Sequence, residues 1–580
     1  MRTKPSLLCS AALGVVCAAS FASQASAAED HHHHHRHHHA AAVAHAAADQ
    51  TAALAAEVDE LKAQVQTLES KLDAQGAAQQ QAQAQAQQAQ ETAQAAATQA
   101  QAAQAAADSE IKTIPTEVAS EVEKVKPKTD KLYYKGVTVT MGGFAAAEGV
   151  YRSRDETADI GSAYQKIPFA NDRASHTGEL HGTARQSRYS LLIQGAPNPN
   201  VLLSFYGEFD FLGAAQSANS NESNSYQPRI RNLYAQVDTT DGWHLLAGDS
   251  WSLVTLTTNG ISPRSEVSPA TIDAQYVPGF AWARQPQIRL TKDFDKTLWL
   301  SVSAENPQTT FGTTSVASGV TATVNQAPTS QYYSGTNYSL NDIPDFVGKA
   351  AFEKDLGGHM FHAEVFGIYR SYLDRVTYAP TATNQAGLLG LTAGNYSIHT
   401  SGGGVGGSVM LGLFPHILDL QGSFLTGKGI GRYGSAQLSD VTTAANGSLE
   451  GIPETMWLVG GTLHATHALD IYGYYGDEKE NSKLFSYAAL PSTAVFGYGT
   501  LPGSNNAGCL VEGGTCSPLN REIWQATGGF WDKIYQGPFG SLRFGLQFSH
   551  TERETFADVT GLAPKASDNM VFTSFRYYPF

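Results

Sequence analysis

Residues 200–211 read NVLLSFYGEFDF. Val201, Leu203, Phe205, Phe209 and Phe211 fall on one parity, and Leu202, Ser204, Tyr206, Glu208 and Asp210 on the other. Successive side chains of an extended chain point to opposite faces, so this spacing predicts a strand that is apolar on one face and mostly polar on the other. TLWLSVSAEN (297–306) repeats the pattern, with Leu298, Leu300, Val302 and Ala304 set against Trp299, Ser301, Ser303 and Glu305.

The segments between such runs say what the strands build. Short connections occur at 196–200, 238–242, 293–296, 355–358, 415–416, 465–468 and 535–538. Long polar excursions occupy 152–177, 213–226, 252–280, 306–343, 373–400, 431–452, 477–520 and 554–567. Short and long alternate throughout, and seven short with eight long connections imply about 16 strands. A transmembrane β-barrel with short periplasmic turns and long outer loops has this form. A sandwich or propeller has no reason to sort its connections by length. With both ends of the barrel on the periplasmic side, the third long loop falls at 252–280.

Upstream of residue 133 the pattern is different. MRTKPSLLCSAALGVVCAASFASQASAAED carries Arg2 and Lys4, an apolar run from Leu7 to Ala19, and the small-residue site Ala25-Ser26-Ala27. This is the form of a secretory signal over residues 1–27. Val16 before Cys17 argues against lipid attachment. HHHHHRHHH at 31–39 belongs to a His/Ala-rich segment, 28–49, expected to be disordered with incidental metal affinity; no metal site is assigned to it. Leu54, Val58, Leu61, Val65, Leu68 and Leu72 then step by four and three residues, the a/d seam of a coiled coil. The predicted coiled coil spans 50–114, and a linker with Pro115 and Pro127 spans 115–132. Net charge is −15 and mean hydropathy −0.25. The charge argues against nucleic acid as a partner. The hydropathy suits a barrel whose alternate residues alone face lipid. Cys509 and Cys516, in CLVEGGTC, are expected to form a loop disulfide.

ARQSRYSLLIQG (184–195), LLSFYGEFDFLG (202–213), RIRNLYAQV (229–237), WHLLAGDSWS (243–252) and RQPQIRLTKDF (284–294) together resemble the DcaP-like trimeric outer-membrane porins. The resemblance implies a 16-stranded barrel behind a periplasmic coiled coil, a homotrimer, and passive uptake of small anionic solutes with dicarboxylates as the type substrate.

The residues themselves point the same way. Arginines cluster on neighbouring strands: Arg185 and Arg188, Arg229 and Arg231, Arg284 and Arg289, with Arg264 in the third loop. Glu208, Asp210 and Glu305 are expected to face them across the pore. Guanidinium groups hold carboxylates bidentately and keep their charge, which suits an anion path. Parity leaves one conflict, because Arg229 and Arg231 share a face with the apolar Leu233 and Val237.

The ending MVFTSFRYYPF (570–580) reads as a closing strand whose Tyr578 and Phe580 form a barrel-assembly signal at the membrane boundary. On that reading Arg576 shares their face and must snorkel or enter a subunit contact. GSFLTGKG (422–429) and GGGVGG (402–407) have nucleotide-loop spacing, but no helix follows either, so both read as barrel backbone. His359, His362 and Glu364 are expected on a solvated strand, and no catalytic constellation is recognised. The expected partners are small anionic solutes, outer-membrane lipid and lipopolysaccharide, further copies of the chain, the barrel-assembly machinery and peptidoglycan, with no cofactor. The alternative to a porin is an envelope tether acting through the coiled coil.

Overall fold

The computed structural model describes Gln94 and residues 131–213, 226–326, 337–414 and 416–580. The expected signal and histidine-rich segment, and the coiled coil apart from Gln94, lie outside the described residues. The chain divides at Lys126 and Pro127, and the C-terminal unit contains one large sheet.

Besides the short strands Leu132–Tyr134 and Val320–Thr323, which add to it, that sheet is closed into a barrel by sixteen strands. They are β1 (Val137–Arg152), β2 in two pieces (Glu179–Thr183 and Arg188–Asn198), β3 (Val201–Gly213), β4 (Gln227–Thr239), β5 (Trp243–Trp251), β6 (Arg284–Phe294), β7 (Leu298–Glu305) and β8 (Asp345–Asp355). There follow β9 (Met360–Tyr378), β10 (Gly394–Phe414), β11 (Leu418–Lys428), β12 (Pro453–His464), β13 (Leu469–Glu480), β14 (Asn520–Gly537), β15 (Gly540–Thr555) and β16 (Lys565–Tyr578). Each is antiparallel to the next. β16 pairs back onto β1 from Ala145↔Tyr577 to Arg152↔Met570, so the sheet closes and leaves no edge. Both the strand count and the alternation of short turns with long loops follow the reading of the sequence.

Parity also holds. In β7, Trp299, Ser301, Ser303 and Glu305 are buried inside the barrel while Leu298, Leu300 and Val302 point out. Around the exterior, Ile288, Val302, Val365 and Val405 are each more than half exposed. Burying such a side chain stabilises by about 1.5–3 kcal/mol, so this apolar exterior suits lipid and not water. No helix among the described residues is long and apolar enough to cross a membrane.

Two long loops fold inwards. The third, residues 252–283, crosses the lumen and is tied to the wall along its length. Its Leu253 N–H donates to Glu305 (2.9 Å), Thr257 Oγ1 to Glu364 (2.6 Å), Gly260 N–H to Glu353 (3.1 Å) and Gly279 N–H to Glu478 (2.7 Å). Gly260 has φ +67° against the Trp299 ring, where a Cβ would lie 1.9 Å from a ring carbon, so only glycine fits. The sixth loop, 429–452, was expected as a polar excursion but is buried almost throughout. Arg370 draws it in through Asp440 (2.6 Å), and the Tyr433 hydroxyl donates to Asp345 (2.8 Å).

The closing strand departs from expectation. In β16, Phe575 and Tyr577 point outwards, whereas Phe572, Ser574, Arg576 and Tyr578 point inwards. Pairing with β1 and β15 sets this parity, so Tyr578 is not on the lipid face. Phe580 lies beyond the strand end and is exposed. Arg576 does not snorkel towards lipid. It enters the lumen and donates to Glu148 at 2.9 and 3.0 Å. His362 and Glu364 are likewise not solvated: both are buried, with His362 between Glu353 (2.8 Å) and Glu364 (3.1 Å) on the inner wall. His359 is exposed in its turn.

Candidate functional site

A cavity of about 570 Å³ occupies the lumen between β1–β4, β10–β16 and the third loop. One charged wall is built from β2, β3 and β4. Arg231 donates to Glu208 (2.6 Å) and Asp210 (2.9 Å), and Arg229 holds Asp210 with two hydrogen bonds of 2.7 and 3.0 Å. Arg188 lies 3.5 Å from Glu208, whose other oxygen accepts from the Tyr206 hydroxyl (2.7 Å). From the third loop, the Tyr276 hydroxyl accepts from Arg231 (3.2 Å). Arg284 stacks on Trp251 at 4.9 Å, within electrostatic reach of Arg229 and Arg231.

A β-bulge resolves the parity conflict in RIRNLYAQV. Glu208 pairs with Asn232 and Phe209 with Ile230, so Arg231 is the extra residue between them. Such an insertion switches faces within one strand. Arg229 and Arg231 point inwards before it, Asn232 and Tyr234 after it, and Leu233 is freed to face outwards.

Four arginines thus surround two carboxylates, an excess of positive charge at one wall. Tyr276 records that excess. Burial would push its hydroxyl up, but Arg231, Arg188 and Arg284 more than offset this and hold it at about 8.

Other expected pore residues are placed differently. Arg185, in the break of β2, is taken up by Asp159 (3.0 Å) and the carbonyls of Phe211 (3.0 Å) and Gly213 (2.8 Å), so it ties the first long loop to β3. Arg289 is buried, donating to Gln287 (3.0 Å) and to the Trp251 carbonyl (2.5 Å) at the start of the third loop. Glu305 accepts from Leu253 N–H and the Ser303 hydroxyl (2.7 Å); it is a loop anchor and does not face the arginine group. Arg264 lies apart from the cluster, over the Tyr206 ring at 5.7 Å. Cys509 and Cys516 are joined in a disulfide whose buried Cys509 packs with Ile167 and Phe169 of the first loop.

Sequence reasoning missed the cavity's second half. Arg576 sits between the Phe144 and Trp531 rings, and Arg543 lies 4.4 Å over Tyr578. Near the short-turn end, His464 bridges Asp470 (2.6 Å) and Asp419 (3.3 Å). Inward parity on β11–β16 is the available signal, but reading Tyr578 and Phe580 as an outward-facing pair hides it. Among the described residues no His, Cys, Asp and Glu group is placed to hold a metal.

No protein-family model matches the chain, and no curated protein matches it. Among solved structures it is similar to the outer membrane channel DcaP of Acinetobacter baumannii, with a TM-score of 0.50 and 18% identity, covering 77% of this chain and 99% of that one. At that identity the likeness is one of fold. The outer-membrane protein OmpT of Vibrio cholerae (TM-score 0.39, 12% identity, 77% and 99% covered) and an anion-selective porin from Comamonas acidovorans (0.39, 10%, 76% and 99%) overlap less well.

Proposed function

We propose that this chain is an outer-membrane porin through which small hydrophilic solutes diffuse, favouring anions such as dicarboxylates. The observation that carries the reading is that Arg188 and Arg231 line an open cavity within a closed barrel, with Arg229 sharing Asp210 behind them and Arg284 within electrostatic reach. The closed sheet satisfies its own backbone groups, which a lipid setting demands, and the apolar exterior supports that setting. A solute carboxylate competes for guanidinium donors already shared with Glu208 and Asp210. It is therefore held weakly and released, as conduction requires.

Residues 1–27 act as an export signal, and 50–114 form a periplasmic coiled coil that supports a homotrimer and reaches towards peptidoglycan. Tyr578 at the end of β16 and Phe580 just beyond it are read by the barrel-assembly machinery, and lipopolysaccharide surrounds the outer rim.

Uptake into liposomes tests the solute class. Protein-loaded vesicles should take up succinate faster than an uncharged solute of the same size. Equal rates, or uptake of neither, would overturn the reading.

A further inference from the structure

The tip of the third loop reaches the short-turn end of the barrel and bounds a second cavity there, of about 430 Å³. Asp238, His244, Trp299 and Glu353 line it from the wall, Arg264 from the loop tip and Lys296 from the turn between β6 and β7. The acids already have partners. Asp238 faces His244 Nδ1 at 2.7 Å, and His244 Nε2 lies 3.0 Å from Asp293. Glu353 meets His362 at 2.8 Å and accepts the Gly260 N–H.

The two cations differ from these acids. Among the described residues neither Arg264 nor Lys296 has a carboxylate within ion-pair distance of its side chain. Both also adopt the left-handed backbone region, with φ +67° and +52°, which disfavours any residue bearing a Cβ. Strain of this kind persists where surrounding structure enforces it, and it gathers at functional positions. A glycine at either place would relax the backbone and remove the charge.

We propose that this cavity is a second anion-binding station, in which Arg264 and Lys296 hold the carboxylates of a small organic acid at the short-turn mouth. The inference deepens the proposed porin function and rests on it. Arg264 supplies a planar fork for one carboxylate, and Lys296 a mobile point charge for a second. Trp299 and Leu202 provide apolar surface for the carbon chain between them. Two stations in series, one at the β2–β4 arginines and one at the mouth, keep each binding step weak while shortening the path between favourable positions.

Calorimetric titration of the detergent-solubilised full chain with succinate tests this without requiring conduction. The wild type should show two binding events. Arg264→Gly combined with Lys296→Gln should weaken one of them at least fivefold, with the other unchanged. Arg264→Gly preserves the backbone conformation, and Arg264→Lys should restore part of the loss. Unchanged titration in the double variant, or a single event in the wild type that the double variant leaves intact, overturns the station. The zero-current potential in a salt gradient, read on the wild type and on Arg231→Gln, reports on the porin reading itself: absence of chloride preference in the wild type overturns that reading, while the calorimetric result on Arg264 and Lys296 decides the station.

Discussion

Arg231 is the residue on which the charged wall turns. It is 4% exposed and touches Glu208, Asp210 and Tyr276 together. One charge acts on another with about 1 kcal/mol at 4 Å in a watery medium. Arg231→Gln should therefore lower anion-over-cation permeability roughly fivefold, read from reversal potentials. Arg185→Gln should leave that ratio unchanged, because Arg185 is spent on Asp159 and two carbonyls. Asp210 makes a different prediction. Removing it strands buried guanidinium charge, a loss of about 3–5 kcal/mol, so Asp210→Ala should unfold at lower denaturant while Asp210→Asn loses less. Tyr276 adds a pH dependence. Its hydroxyl, held at about 8, becomes negative as pH rises through that value. Anion preference should fall between pH 7 and 9 in the wild type and stay flat in Tyr276→Phe. A flat wild-type profile would sink this assignment.

At the scale of elements, the strands were legible and the loops were not. Period-2 alternation is imposed by the pleat and by a two-sided environment, so NVLLSFYGEFDF and TLWLSVSAEN announced themselves. Turn length then ordered them. Whether a long polar loop covers the rim or folds inside depends on anchors far away in sequence, such as Glu305 for Leu253, Glu364 for Thr257 and Arg370 for Asp440. The sixth loop therefore gave no sign of its burial. The bulge at Arg231 was visible only as a broken parity, and RIRNLYAQV was ambiguous for that physical reason. The same anchors predict an effect on conductance. Glu305→Ala and Glu364→Ala together should loosen the third loop and raise unitary conductance above that of the wild type. An unaltered, quiet channel would show that the loop is held by packing alone.

The described C-terminal unit is a closed barrel in which inner and outer faces obey opposite rules. Outside, aliphatic side chains form an apolar surface. Inside, ion pairs and inward loops border the lumen cavity and the smaller one at the short-turn mouth. The candidate pore was only partly legible: Arg188, Arg229, Arg231, Glu208 and Asp210 come together, but the two carboxylates pair with the arginines on one wall and do not face them across the pore. Arg185, Arg289 and Glu305 serve the framework instead, since a charge inside a barrel is as useful for fastening a loop as for meeting a solute. Net charge of −15 is a sum over the whole chain and does not describe the lumen wall at β2–β4. The most direct test is the zero-current potential of the purified full chain in a planar bilayer under a tenfold KCl gradient. The account predicts a potential with the sign of chloride preference, diminished in Arg231→Gln; a potassium-preferring potential, or no conductance, would contradict it.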